Sequence, residues 1–360
     1  LTVTLSKIRI RDFRCLDGVE LLADPELNLV VGKNAAGKTS LLEAIYYLGR
    51  GRSFRGGSNA ELIKSGADGF TLFAEVSAGH ATPAQTSKIG CEVSRGTKTV
   101  RMNGSSAKTT DLVSALPVQA IDPEIHELIQ GGPEQRRRFL DWGVFHVEHD
   151  YIATWRAYKT ALKQRNAALK AQLPNATIEA WDDTLIKNAI SLDIQRKTFI
   201  SDFKSQLSLI LSEIFPFALN VSYSQGWKEG DDFKDALTAS FPRDRVMGAT
   251  QVGPHRADLK LRIDGQAARH RLSRGQQKLL GAALILAQTH FVANAVSSRI
   301  VLLVDDPAAE LDEEHQEHLF RLLQTVPAQL FITSLDSSGA NWENNGKTFA
   351  IEAGNISHLV

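Results

Sequence analysis

A glycine-rich segment between an apolar strand and a helix places the strongest constraint on the fold of this chain. Residues 32–39 read GKNAAGKT, with the apolar run LNLVV before them and SLLEAI after them. Strand, glycine-rich loop, Lys-Thr pair and helix, in that order, are the context that a phosphate-binding loop requires. A chance glycine turn before a helix is the alternative, and the agreement of all four features argues against it. We therefore predict a nucleoside triphosphate site.

The loop assigns roles to its residues. Glycine allows the backbone N–H groups to turn toward phosphate oxygens, and the helix that opens at Lys38 adds the positive end of its dipole. Lys38 is expected to reach the β- and γ-phosphates, and the Thr39 hydroxyl to bind Mg²⁺. The predicted nucleotide-binding residues of the loop are Gly32, Lys33, Asn34, Ala35, Ala36, Gly37, Lys38 and Thr39.

A second segment supports the same site. Residues 300–304 read IVLLV, which predicts a fully buried strand, and Asp305 and Asp306 follow it. In P-loop proteins, the acid that ends such a strand beside the loop holds Mg²⁺. An apolar strand that ends in Asp is weak evidence alone, but together with the loop it predicts that Asp305 is a magnesium ligand.

Composition limits the remaining possibilities. A chain of 360 residues is long enough for two cores, or for one core with an insertion. No run of eighteen apolar residues occurs, so we expect no membrane partner. The two cysteines lack the spacing of a zinc or redox pair, which favours packing roles in a reducing cytoplasm. Because 41 Lys and Arg balance 41 Asp and Glu, any contact with nucleic acid must come from local patches.

The hydrophobic patterns predict the order of the elements. Residues 4–14 read as an edge strand, and residues 70–102 as antiparallel strands. One helix is expected over 133–170 and another over 178–215, which would pack as an antiparallel pair, and residues 216–246 look less regular. Three consecutive arginines, 136–138, cannot share one helix face, so at least one is expected to face a carboxylate.

Basic loops are the candidates for contact with nucleic acid. Residues 49–57 read GRGRSFRGG, and arginine beside an aromatic ring suits contact with phosphate or base, although a chance basic loop fits the spacing equally well. The predicted DNA contacts are Arg52, Arg55, Arg101 and Arg138. Arg138 also fits a structural ion pair.

Several segments resemble a known family. Residues 272–280, LSRGQQKLL, look like the LSGGQ signature of ABC-type ATPases, with Arg274 in place of a glycine as in the RecF branch. The chain is similar to the RecF family of bacterial recombination and replication-repair proteins along nearly its whole length. The segments that carry this resemblance read LNLVVGKNAAGKTSLLEAIYYLGRGRSFRG, GPEQRRRFLDW, GPHRADL, LSRGQQKLL and VDDPAAELD.

The resemblance implies an α/β fold. It is an ABC-type P-loop ATPase head with an antiparallel β subdomain, split by an inserted α-helical arm. The head would comprise residues 1–143 and 247–360, and the arm would comprise residues 144–246.

The resemblance also implies a function. Such proteins are ATP-dependent DNA-binding dimers that act at single-strand gaps and double-strand/single-strand junctions. ATP binding would drive homodimerisation, and weak DNA-dependent ATPase activity would act as a switch. With RecR- and RecO-type partners, the protein would support recombinase loading and SOS induction in the cytoplasm.

Further roles follow by position in the family motifs. Ser40 belongs to the phosphate-binding loop, and Asp306 stands where many ABC ATPases carry a catalytic Glu. Ser273 and Gly275 match the signature that contacts the γ-phosphate of the opposite subunit, and Asp312 matches the acid of the D-loop. Two motifs depart from the pattern. Asp122, with Gln119 three residues earlier, lies near the glutamine-loop position, and Leu335 stands where a histidine is usual.

Two other classes of protein remain open. A transporter nucleotide-binding subunit would co-fractionate with membranes, but the arginine-rich loops and the helical insertion argue against it. An SMC-like structural DNA organiser would show long rods by electron microscopy, but the predicted arm is short and has no hinge domain.

Overall fold

The computed structural model describes residues 3–78, 85–215, 217–307, 313–335 and 346–359. Its strands are β1 (Val3–Arg11), β2 (Val19–Leu22), β3 (Leu27–Val31), β4 (Gly69–Ala78), β5 (Gln85–Ser94), β6 (Thr97–Met102), β7 (Ser105–Ser106), β8 (Val118–Ile121), β9 (Leu219–Ser224), β10 (Asp258–Ile263), β11 (Gln266–Ala267), β12 (Ile300–Val304), β13 (Ala328–Ser334), β14 (Lys347–Glu352) and β15 (Asn355–Leu359). Its helices are α1 (Lys38–Arg50), α2 (Thr109–Ala115), α3 (Glu127–Gln130), α4 (Pro133–Val147), α5 (Tyr151–Lys170), α6 (Asn175–Glu179), α7 (Asp182–Ile214), α8 (Phe233–Met247), α9 (Ala268–Arg271), α10 (Arg274–Ala295) and α11 (Glu313–Thr325).

The chain forms two compact units. The first comprises residues 1–125 and 281–360, and the second comprises residues 126–280. The division expected at residues 143 and 246 describes a head and an inserted arm, and it stays a prediction, because compactness alone does not define functional domains.

A mostly parallel sheet forms half of the first unit. Its strand order is β15-β14-β3-β13-β12-β8, and β14, β3, β13, β12 and β8 run parallel. Every residue of β12 is buried, as expected of an apolar strand covered on both faces. Parallel strands bring their carboxyl ends to one edge of the sheet, where ligands bind in open α/β folds.

An antiparallel sheet forms the other half, in the order β2-β1-β4-β5-β6-β7. The prediction that residues 4–14 form an edge strand is wrong, because β1 pairs with both β2 and β4. Arg9, for example, lies between Glu20 and Phe73 of the neighbouring strands. Alternating charge reports which face of a strand meets solvent, and it carries no information on the strand's place in the sheet.

Helix α1 contacts strands of both six-stranded sheets. Eleven of its thirteen residues are buried, including Leu41, Ile45 and Leu48. A helix that is buried all round belongs to a core. Its last turn approaches β8 so closely that a Cβ at Gly49 would lie 2.4 Å from Val118 Cγ2 and 2.6 Å from the Leu116 carbonyl oxygen.

The second unit is mainly helical and also contains the three-stranded sheet β11-β10-β9. Helices α5 and α7 pack on each other, as the predicted helix pair requires. The single helix expected over 133–170 is in fact two, because Glu148 adopts an extended backbone that ends α4. The helix expected over 178–215 corresponds to α7, which begins at Asp182, and the short α6 precedes it. Strand β9 and helix α8 occupy much of the segment expected to be irregular.

Buried arginines join the helices of the second unit. Arg165 is fully buried and contacts Asp182 and Asp244 at 2.8 and 2.7 Å. Arg196 donates to Asp141 and to the carbonyl of Pro254, both within 2.8 Å. Such charges are costly to bury unless each is paired, so these contacts fix the helix positions.

The arginine triplet behaves as expected. Arg136 forms two hydrogen bonds with Asp258, at 2.8 and 3.2 Å, while Arg137 donates to the Ala257 carbonyl. One arginine of the three therefore faces a carboxylate inside the unit. His255 of the GPHRADL segment accepts from the Tyr158 hydroxyl and donates to the Thr250 carbonyl, and burial lowers its pKa to about 4.

We expect Gly49→Ala to destabilise the protein by about 2 kcal/mol, since the added methyl group overpacks the contact with β8. In an ordinary helix interior the same change stabilises by up to about 1 kcal/mol. Denaturant unfolding measures the difference. Gly90→Ala is the control, because a Cβ there would lie 3.8 Å from the Leu72 carbonyl oxygen, an ordinary contact distance. Equal stability of the two variants would contradict the close packing of α1 on β8.

Candidate nucleotide-binding site

A pocket of about 480 Å³ opens at the carboxyl ends of the parallel strands. The segments that follow β3, β8 and β12 line it, together with residues from two further loops of the first unit. Its lining residues are Cys15, Asn34, Ala35, Ala36, Gly37, Lys38, Thr39, Ser40, Phe54, Arg55, Asp122, Pro123, Glu124, Asp305 and Asp306.

The loop after β3 has the backbone of a phosphate-binding loop. Gly37 precedes α1 with φ 116°, and Ala35 has φ 62°, both in the left-handed region. A side chain at Gly32 would lie 2.4 Å from the Ile351 carbonyl oxygen, so the loop packs against β14. Gly32 and Gly37 therefore meet two separate demands, close packing and a positive φ.

Lys38 is folded back onto this loop. Its ammonium group donates to the carbonyls of Gly32 and Lys33, at 2.5 and 3.1 Å, and the residue is 8% exposed. The charge thus already lies inside the loop. Phosphate oxygens placed there would meet an ammonium group and the N-terminus of α1 together.

Thr39 and Asp305 meet directly, although 266 residues separate them. The Thr39 hydroxyl donates to Asp305 Oδ2 at 2.8 Å, and the Thr333 hydroxyl donates to Oδ1 at 2.7 Å. The backbone N–H of Asp306 in turn donates to the Thr333 hydroxyl oxygen at 2.9 Å. Hydroxyl and carboxylate oxygens are the hard ligands that Mg²⁺ prefers, so Thr39 and Asp305 fit the predicted magnesium site.

A buried carboxylate behind the pocket was not anticipated from the sequence. Glu43 in α1 is fully buried and accepts two hydrogen bonds from Arg14, at 3.0 and 2.9 Å. It also accepts from the Ser53 hydroxyl, and Arg55 lies 3.9 Å from it. The pairing with Glu43 raises the pKa of Arg14. Glu43 therefore anchors the arginine-rich loop to the helix that carries Lys38.

The remaining residues singled out in the sequence are Cys15, Asp122, Gln119 and Leu335, and Cys15 differs from expectation. Cys15, expected to be a packing residue, is exposed on the pocket wall, 3.6 Å from the Ser40 hydroxyl. Asp122 lines the pocket as its position suggests, while Gln119 is buried and donates to Gln288. Leu335 is 54% exposed after β13, at the position where a histidine would be usual.

The signature segment lies in the second unit, at the start of α10. The Ser273 hydroxyl accepts from the Gln276 backbone N–H at 3.3 Å, and the Gln276 side chain accepts from the Ser273 N–H at 3.0 Å. This reciprocal capping defines the helix start and leaves Ser273 exposed beside Gly275. The N-terminus of a 22-residue helix favours an anion. Asp312, the predicted D-loop acid, lies outside the described residues.

The four predicted DNA contacts separate into different environments. Arg55 lines the nucleotide pocket, and Arg138 pairs with Glu134 one turn away on α4. Arg52 is exposed in the loop after α1, and Arg101 is exposed on β6. Within the described part of the chain, no helix combines the length and apolar character needed to cross a bilayer.

Comparisons with known proteins agree with this geometry. Residues 4–354 match the family described as RecF/RecN/SMC N terminal domain. The chain is 39% identical to a DNA replication and repair protein RecF from Pseudomonas putida, over 98% of both chains. It superposes on a structure of the recombination mediator protein RecF with ATP from the RecFOR pathway, with a TM-score of 0.89, 29% identity, and 100% and 98% of the two chains covered.

A more distant comparison concerns the fold alone. The head domain of Smc from Pyrococcus furiosus gives a TM-score of 0.59 at 14% identity, covering 99% of this chain and 96% of the other. The predicted α/β fold of an ABC-type head with an antiparallel subdomain is confirmed.

We expect Glu43→Gln to cost about 3 kcal/mol, because it removes the charge that pairs with Arg14 inside the protein. A double-mutant cycle with Arg14→Gln should give a coupling energy above about 1 kcal/mol. The exposed pair of Glu134 and Arg138 supplies the control, and Glu134→Gln should change the free energy of unfolding by less than about 0.5 kcal/mol. A coupling energy near zero for Arg14 and Glu43 would show that Glu43 does not anchor Arg14.

Proposed function

Because the chain belongs to the RecF family of DNA replication and repair proteins, we propose that it is an ATP-dependent DNA-binding protein of recombinational repair. The observation that carries the proposal is the meeting of Lys38, Thr39 and Asp305 at one edge of the parallel sheet. The ammonium group, the hydroxyl and the carboxylate of these residues are the groups that a site for a nucleoside triphosphate with Mg²⁺ requires.

The pocket residues have distinct parts in nucleotide binding. Lys38 exchanges its two carbonyl contacts for phosphate oxygens, and the N–H groups of the loop donate to the same phosphates. Thr39 and Asp305 supply oxygen ligands for Mg²⁺, which when bound neutralises charge on the β- and γ-phosphates. Asp306 orients the attacking water or takes its proton. Asp is one methylene shorter than the Glu found in many ABC ATPases, which favours slow turnover and a switch-like role.

Nucleotide binding also controls assembly in this proposal. Ser273 and Gly275 at the N-terminus of α10 cap the γ-phosphate of a second copy of the chain, since a two-fold axis exchanges signature and P-loop between subunits. Each ATP then joins two subunits, and hydrolysis releases them. A weak, DNA-dependent ATPase is sufficient for such a cycle.

The closed dimer binds DNA at single-strand gaps and double-strand/single-strand junctions. The structural relative from the RecFOR pathway supports mediator partners of the RecR and RecO type, which would direct recombinase loading and SOS induction. We also propose that the protein acts on chromosomal DNA in the bacterial cytoplasm. An SMC-like organiser needs a long coiled-coil rod, whereas α5 and α7, with 20 and 33 residues, reach about 30 and 50 Å.

We expect Asp306→Asn to retain ATP binding and to accumulate the ATP-bound dimer, because the amide keeps the side-chain size but takes no proton. Nucleotide titration and sedimentation velocity measure the two properties. Asp305→Asn is the control, and it should weaken the Mg²⁺ dependence of ATP binding. If Asp306→Asn abolished ATP binding, Asp306 would be a magnesium ligand or a residue of the fold.

We expect two inactive variants to restore activity when mixed. Lys38→Arg loses the phosphate contact, and Ser273→Arg blocks closure, so each alone should abolish ATPase activity. A mixed dimer has one doubly damaged site and one intact site. Random pairing then allows at most about a quarter of wild-type ATPase activity.

The mixing experiment has a direct control, since each variant is also measured alone at the same total concentration. Recovery in the mixture is inconsistent with sites built within one chain. An ATP-loaded wild type that remains monomeric at high concentration would contradict the shared site.

A further inference from the structure

A cationic surface lies on the three-stranded sheet of the second unit, immediately before the signature. We call it the signature-side surface and define it as Lys260, Arg262 and Arg269. Lys260 and Arg262 are the exposed, alternating residues of β10, and Arg269 is exposed on α9. Strand pairing places Lys260 opposite Ser222 and Arg262 opposite Asn220.

These cations converge on a concavity. A pocket of about 200 Å³ has all three residues of the signature-side surface in its wall. Arg136 and Asp258 complete its charged lining, and these two residues already pair with each other. The pocket therefore presents three cations whose charge no carboxylate within it offsets.

Neighbouring carboxylates are already occupied. Asp258 accepts both its hydrogen bonds from Arg136, and Asp264 pairs with Arg271 at 3.2 Å. Arg262 donates to the Gly265 carbonyl, and Arg269 donates to the His270 ring. Within the described ranges, no carboxylate oxygen lies within 4 Å of the charged atoms of the signature-side surface. In a chain with 41 positive and 41 negative side chains, this is a local excess of charge.

The surroundings favour a phosphate backbone over a protein. Asn220 and Ser222 add uncharged hydrogen-bond donors beside the cations, and such side chains contact phosphate oxygens together with Arg and Lys. Protein interfaces are built around buried apolar anchors. Within the described residues, none of the large exposed apolar side chains lies on β9, β10, β11 or α9.

The surface is also joined to the signature. Helix α9 ends at Arg271, and the Leu272 N–H donates to the Ala268 carbonyl at 3.1 Å. The buried Gln277 side chain in the first turn of α10 donates to the carbonyls of Arg269 and Leu272, at 3.3 and 3.0 Å. A ligand that holds Arg269 therefore acts on the backbone that positions Ser273.

We infer that the signature-side surface binds the phosphate backbone of DNA and that this contact fixes the signature segment for closure on ATP. The inference rests on the proposed function and extends it, since it assigns the DNA contact to residues adjoining the signature rather than to Arg52, Arg101 or Arg138.

The test compares two triple variants with the wild type in the presence of ATP. One carries Lys260→Ala, Arg262→Ala and Arg269→Ala. The matched control carries Lys163→Ala, Lys187→Ala and Lys204→Ala, which removes the same charge from exposed positions of α5 and α7. The affinity for a gapped duplex is measured across salt concentrations. Each lost phosphate contact should reduce the magnitude of the slope of log affinity against log salt by about 0.9. The slope of the first variant should therefore be smaller in magnitude than that of the wild type by about 2 to 3.

A second readout follows the signature itself. Addition of DNA should slow hydrogen exchange of residues 272–280 in the wild type and in the control, but not in the first variant. If that variant unfolds early by circular dichroism, the charge-preserving set Lys260→Arg, Arg262→Lys and Arg269→Lys replaces it and should keep the wild-type slope.

The outcomes separate the inference from the proposed function. The assignment of the surface is overturned if the first variant keeps the wild-type salt slope of DNA affinity. It is also overturned if the charge-preserving set shows a smaller salt slope than the wild type. In both cases the proposed function stands. Loss of binding to a polyglutamate peptide with unchanged binding to DNA also overturns it, and identifies an acidic protein as the occupant. A wild type that binds no DNA with ATP present refutes the proposed function itself.

Discussion

The carboxylate of Asp305 is the group on which the arrangement of the nucleotide site depends. It receives one hydroxyl from Thr39 at the start of α1 and another from Thr333 on β13. Strand β13 lies between β3 and β12 in the sheet, so this carboxylate spans three neighbouring strands. The parallel register of these strands sets the distance between the phosphate-binding loop and the acid that follows β12.

Helix α1 connects this site to the rest of the first unit. Its burial between two sheets makes its position rigid, and the buried Glu43 extends that rigidity to Arg14 and to the loop that carries Arg55. A carboxylate buried in this way is costly unless it is fully paired, and removal of one partner costs more than the pair contributes. The nucleotide pocket and the arginine-rich loop are therefore linked by one network of hydrogen bonds and ion pairs around Glu43.

The short motifs of the nucleotide site could be predicted from the sequence, because the residues of each motif are contiguous. The phosphate-binding loop and the strand that ends at Asp305 each follow from a few adjacent residues. Contacts that depend on tertiary pairing could not be predicted. Thr333 and Glu43 occur in ordinary strand and helix patterns, and only the fold shows what they contact.

One wrong prediction and one observation that the sequence did not indicate have the same physical origin. The break between α4 and α5 falls in residues 148–150, which read EHD and contain no proline or glycine that would mark it. Glu148 adopts an extended backbone there. The basic, aromatic loop predicts that Arg55 contacts DNA, and this stays a prediction, but its contact with Glu43 and its place in the pocket depend on the packing of that loop on α1. Local chemistry identifies what a side chain can bind, but tertiary packing decides what it meets.

We propose that ATP, held at Lys38 and Thr39, joins two copies of the chain around DNA. Sedimentation velocity tests it most directly, on the wild type and Lys38→Arg, with and without ATP and a gapped duplex. We expect a monomer without ATP, a dimer with ATP that DNA further stabilises, and a monomer for Lys38→Arg under all conditions. A wild type that binds ATP yet sediments as a monomer with DNA present would contradict it.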